Sequence, residues 1–249
     1  MRFRSTNPVY SKINKMDGYE GVTYEQATYT GIAFKTLYYM LMVVVGAFIG
    51  IMLLQNRIDI LLPVLGVSGI ATFIAAMVAF VSPAATKIAG TIYCLLEGVI
   101  VGIVSLLFEA MLPGVVVTSL LGTVTVVVVA AALFLTGVVK VNSKFMRFLM
   151  IFVVSVLFTM LGSLILSLIF PGLFAFAANP TVSIVVSLIM IFLATLYIMF
   201  DLENIRQVVE GGQPKQLEWF ASFGLAFTVI WLYMEVLPLI AQIFLNADS

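Results

Sequence analysis

Seven long apolar runs, parted by short breaks, leave this chain essentially one architecture. A helix needs about 20 apolar residues to cross the hydrocarbon core of a bilayer. The runs cover roughly 31–54, 60–81, 88–111, 115–138, 146–170, 180–201 and 219–245. The breaks carry polar residues, proline or glycine: Gln55 to Asp59, Ser82-Pro83, Pro113-Gly114, Lys140 to Lys144, Pro171-Gly172 with Asn179-Pro180, and Glu210 to Lys215. Connections this short favour antiparallel neighbours in a single bundle. The expectation is an all-α integral membrane protein with seven transmembrane helices over 31–249. Residues 1–30 read as a polar, mobile tail with some helix near Tyr24 to Tyr29.

Composition excludes several function classes. The chain is 63% hydrophobic and 10% charged, where a soluble domain carries about 25% charged residues; mean hydropathy is +1.19. Net charge is zero and no basic stripe is present, so nucleic acid is not an expected partner. Histidine is absent, which removes the commonest metal ligand and the usual pH switch. No HExxH or Gly-x-Ser-x-Gly motif points to an enzyme. The seventh run has no lysine for a retinal Schiff base. The single cysteine, Cys94, lies in an apolar run and reads as a small packing residue. The first thirty residues show no cleavable signal pattern.

Lysine and arginine set the expected orientation. With the N-terminus inside, Arg2, Arg4, Lys12, Lys15, Lys35, Lys87, Lys140, Lys144, Arg147, Arg206 and Lys215 are internal, and only Arg57 is external. That asymmetry suits a bacterial-type inner membrane, with a cytoplasmic N-terminus and an extracytoplasmic C-terminus. Small residues mark expected close contacts between helices: Gly46 and Gly50, Ala71, Ala75 and Ala79, and Gly98 and Gly102.

Within this apolar background, a few polar residues draw attention. A charged side chain near the bilayer centre costs about 2.5–3.5 kcal/mol on insertion scales. Asp201 ends the sixth run, on a stripe with Ser183, Ser187, Met190, Ala194 and Tyr197 at helical spacing. Glu203 points elsewhere on that helix, and Asn204 returns to the Asp201 side; the alternative is that Asp201 and Glu203 are interfacial charges facing cytoplasmic water. Glu235 lies inside the seventh run, on a face with Gly224, Thr228, Trp231, Pro238 and Gln242. Pro238 has no N–H, so the Met234 carbonyl loses its helical partner and suits either a hard cation or a neighbouring hydroxyl or water. Glu97 is a third intramembrane acid, which either lines a path or bonds a neighbouring helix in its protonated form. Glu109 and Lys35 lie near span ends, where they can snorkel. Lys87 starts the third run, within expected reach of Asp201.

Two close carboxylates do not both ionise easily. Protonated, a pair bonds to itself and holds the sixth and seventh helices together. Deprotonated, it repels and can be bridged by a divalent cation. One objection is geometric: Glu235 lies about 24 Å along its helix from Trp219 at 1.5 Å per residue. The acids meet only if the first turns of that helix project beyond the membrane core or the sixth helix sits deep.

These residues resemble the transmembrane Bax inhibitor motif family (Bax inhibitor-1 or YccA-like), in its bacterial branch. Phe200-Asp201-Leu202-Glu203-Asn204-Ile205 is similar to the family's aromatic-Asp signature. Leu232-Tyr233-Met234-Glu235-Val236-Leu237-Pro238 is similar to its Leu-Tyr-x-Asp segment, and Phe3-Arg4-Ser5-Thr6-Asn7-Pro8-Val9 to the start of one bacterial subgroup. The resemblance implies a seven-helix fold with the last helix central. It also implies a pH-sensitive calcium leak governed by a paired acidic site, with Asp201 at the first position and Glu235, in place of Asp, at the second. Relatives latch that pair with an arginine; the second and third runs here contain none, and Lys87 is the nearest substitute. The linker between the two motifs is also longer here. Lipid, protons and a calcium ion are the expected partners, with no organic cofactor. The competing expectation is a non-transporting modulator that restrains a membrane protease or another membrane protein.

Overall fold

The computed structural model describes residues 25–56, 58–139, 141–142, 144–149, 151–152, 155 and 180–247. Within them, six helices are long and apolar enough to span a membrane. They are α1 (Tyr29–Asn56), α2 (Leu61–Val81), α3 (Thr86–Met111), α4 (Val115–Leu135), α5 (Pro180–Glu210) and α6 (Leu217–Ala247). A 3-10 turn, Ile58–Ile60, leads into α2. The run expected over 146–170 lies largely outside the described residues, of which 144–149 are helical. The only β-type pairing among the described residues is an isolated bridge between Gln26 and Pro214.

Polar pairs carry the helices beyond their apolar runs. α5 continues nine residues past Asp201, because Glu203 accepts hydrogen bonds from Arg206 (3.1 Å) and Gln207 (3.1 Å) at i+3 and i+4. Glu109, expected to snorkel, instead caps the following helix. Gly114 turns the chain at φ 90°, and the Glu109 carboxylate takes the N–H of Gly114 at 2.7 Å and of Val116 at 3.0 Å. Those amides open α4 and have no partner within it.

The glycines at 46, 50, 98 and 102 bring α1 and α3 into backbone contact. A Cβ added at Gly98 would stand 3.0 Å from the Gly46 Cα, and one at Gly102 would stand 2.6 Å from the Ala47 Cα. Gly50 meets Val99 in the same way. Small residues permit this approach where lipid provides no hydrophobic drive between helices. On α2 the buried stripe is Ser68, Thr72, Ala75 and Ala79, with Ala71 half-buried beside it. The opposite face of α2, with Val67, Ile70, Phe73 and Met77, is exposed and apolar, as a lipid-facing surface requires.

α6 packs against each of the other five helices. Half of its most apolar window is buried, against 22–33% for the other five. An aromatic cluster surrounds its first turns: Trp219 and Phe223 meet Tyr39 edge-on at 5.7 and 5.8 Å, and Phe227 meets Phe80 and Tyr93 at 5.2 and 5.4 Å.

Residues 25–28, assigned by sequence to the tail, are docked. Ala27 donates its N–H to Gln213 (2.8 Å), and Glu25 accepts that of Lys215 (2.8 Å). The remainder of the expected tail, residues 1–24, lies outside the described residues. The end of the bundle where α1 and α6 begin and α5 finishes is termed proximal below.

Candidate intramembrane acidic site

The two stripes read from the sequence pack against each other along the antiparallel α5–α6 contact. From the proximal end, Asp201 meets Gly224 and Thr228. Next, Tyr197 meets Trp231 with ring centroids 5.9 Å apart, and further on Ser183 accepts from the Gln242 amide at 2.9 Å. Polar and aromatic contacts therefore recur along the seam between these two helices, with the apolar Ala194 among them.

Asp201 is buried, with 8% of its surface exposed. The Thr228 hydroxyl donates to its Oδ2 at 2.6 Å and also lies 3.1 Å from the Gly224 carbonyl. Gly224 makes the space: a Cβ there would stand 3.2 Å from Asp201 Oδ1. A hydroxyl has one proton but can also accept. When Asp201 is ionised, Thr228 gives that proton to the carboxylate. When Asp201 is protonated, the acid donates to Thr228, which turns its own proton to the Gly224 carbonyl. Both states are satisfied without moving a helix.

Glu235 is half-buried and accepts from the Trp231 indole N–H at 3.1 Å, one turn back on the same helix. The direct pairing of the two acids expected from sequence is not formed. The antiparallel register sets Asp201 opposite residue 228, which lies about 10 Å before Glu235 along α6 at 1.5 Å per residue. Each carboxylate takes its own donor. Asp201 does sit deep, nine residues before the end of α5, yet α6 begins at Leu217, and that depth brings Asp201 only as far as residue 228.

The other residues named from sequence divide by location. Pro238 lies inside α6 and offers no N–H to the carbonyl of Met234, the residue before Glu235. Tyr197 belongs to the seam and also donates to the Leu149 carbonyl at 3.2 Å. Glu97 on α3 and Asn204 on α5 are both half-buried. Lys87 does not reach Asp201: its ammonium lies 5.3 Å from the Trp219 ring, where the π-face attracts it. Among the described residues no three His, Cys, Asp or Glu side chains cluster as a metal site. Calcium takes six to eight oxygen ligands. One carboxylate, one hydroxyl and one carbonyl at Asp201 fall short of that number.

Sequence reasoning missed Glu218. It stands one residue before the run assigned to the last helix, yet it is completely buried. It pairs with Lys35, which therefore does not snorkel. The sequence shows opposite charges near the starts of two runs and Thr28 ahead of α1, but nothing in it says that those two helices are neighbours.

A bundle of membrane-length helices with a buried carboxylate between its last two members defines a class: polytopic membrane proteins with an intramembrane acidic site. The family model described as Bax inhibitor 1 like matches residues 7–244, and the chain belongs to that family. A comparison with curated proteins finds no match.

Proposed function

We propose that this protein is a passive, pH-sensitive cation leak with calcium as the substrate ion, rather than an enzyme. It would be a seven-helix plasma-membrane protein, of the bacterial branch, with the last helix central, the N-terminus cytoplasmic and the C-terminus extracytoplasmic. The observation that carries this reading is Asp201, buried between α5 and α6 on Thr228 and Gly224. An ionisable group so placed is costly, and in membrane proteins such groups mark ion and proton pathways. Asp201 and Glu235 then act as successive stations of one seam, separated by Trp231, and the freed Met234 carbonyl adds an oxygen beside the second. The carboxylate is the form that attracts a cation, so protonation of Asp201 should reduce flux.

Calcium entry into proteoliposomes holding a calcium indicator, followed over a range of pH, tests the reading. Asp201→Asn should lower entry about tenfold or more and flatten its pH dependence, since it removes the charge and its titration together. Glu235→Gln should lower entry with less effect on the pH profile. Entry that neither substitution changes would refute the site. A wild-type protein that admits no calcium would favour the non-transporting modulator of a membrane protease or other partner.

A further inference from the structure

Glu218 has no exposed surface, yet every part of its carboxylate is accounted for. One oxygen takes the Thr28 backbone N–H at 2.8 Å and the Thr28 hydroxyl at 3.2 Å. The other takes the Lys35 ammonium. Thr28 is itself the cap of α1, its hydroxyl accepting the Gly31 N–H at 3.0 Å. The carboxylate thus rests on the first turn of α1, where unpaired amides and the helix dipole favour an anion. Gly31 leaves it room, because a Cβ there would lie 2.6 Å from Glu218 Cδ.

The same section of α6 is tied to α1 and to the Asp201 site. One turn after Glu218, the buried Ser222 hydroxyl donates to the Ile32 carbonyl at 2.9 Å. Trp219 lies under both Lys35 and Lys87, each 5.3 Å from its ring centroid. Gly224 and Thr228, on another side of α6, hold Asp201 of α5. Ten residues of helix, about 15 Å, therefore join a charged tie to α1 with the acid between α5 and α6.

A buried ion pair is poor glue compared with apolar packing of the same volume, but breaking it leaves an uncompensated charge. We propose that the Lys35–Glu218 pair is a tether that positions the first half of α6 and thereby keeps the α5–α6 seam closed to water. Lys35 and Glu218 are positioning residues for Asp201. Taking Asp201 as the functional acid rests on the reading above; the closure itself does not.

The test uses the full chain in proteoliposomes, with the single cysteine removed by Cys94→Ala and a reporter introduced by Ala194→Cys. Ala194 is fully buried in the apolar cluster where α5 meets α4 and α6. A small cationic thiol reagent reads whether water reaches it. Lys35→Met should raise the labelling rate about tenfold or more, the scale expected when a buried charge loses its partner. Lys35→Arg keeps the charge in a bulkier head and should label more slowly than Lys35→Met. If Lys35→Met does not fold, Ser222→Ala removes a neighbouring tie without stranding a charge and should still raise labelling a few-fold. Folded Lys35→Met and Ser222→Ala variants that label at the parent rate would overturn the tether. Raised labelling in a protein that passes no calcium would keep the tether and reject the leak. Calcium entry abolished by Asp201→Asn, with labelling unmoved by tether variants, would do the reverse.

Discussion

Thr228 supports the buried acid through a single hydroxyl, so its chemistry can be separated from its bulk. Thr228→Val keeps the shape and leaves Asp201 without its donor. An unmet buried hydrogen bond costs about 1–3 kcal/mol, so the variant should melt at a lower temperature in detergent. Thr228→Ser should restore most of the loss. A Val variant as stable as the parent would mean that Asp201 does not depend on this bond. Outside the membrane, the Lys215 ammonium hydrogen-bonds Glu25 at 2.6 Å and holds its carboxyl below the usual carboxylate range. A lowered acid stabilises the fold above its ordinary range, and that contribution is lost as pH falls through the depressed value. Both groups are exposed and the effect is screened. Glu25→Gln should leave melting at neutral pH nearly unchanged and remove a small part of its decline in acid.

Among the helices, glycine has two opposite meanings that a substitution series will expose. Gly98 on α3 touches the backbone of α1, whereas Gly66 on α2 has open space around it. Gly98→Ala should force the two helices apart, at about 1–3 kcal/mol for overpacking. Gly66→Ala should be neutral or raise stability by up to about 1 kcal/mol, because alanine loses less backbone freedom in a helix. Thermal melting of both variants checks the contrast, and equal effects would refute the α1–α3 contact. The pattern of small residues at 46, 50, 98 and 102 was visible in the sequence, but which helix each pair faced was not. Spacing fixes a face of a helix; only packing assigns its partner.

For the whole molecule, what could be read in advance followed from the bilayer. Apolar length identified the six described spans to within a few residues over most of their ends, because hydrocarbon thickness dictates it. The errors fall where water returns. α5 runs to Glu210 on side-chain pairs that no hydropathy window registers. Glu218 and Lys35 were invisible as a pair because their separation of 183 residues is closed only by the fold. Helical periodicity did yield both halves of the α5–α6 seam, including Ser183 with Gln242 and Tyr197 with Trp231. The relative register of those halves, which decides whether two acids meet, has no signature in either segment alone.

The chain has two tryptophans, and each contacts an ionisable group proposed to matter. Trp219 has the ammonium groups of Lys35 and Lys87 over its ring at the α1–α6 tie, and Trp231 donates its indole N–H to Glu235. The protein therefore contains its own optical probes. In Trp219→Phe, emission reports on the Glu235 end of the seam. In Trp231→Phe, it reports on the tie. Titrating each variant with acid or calcium would show in which order the two regions respond, with no label attached.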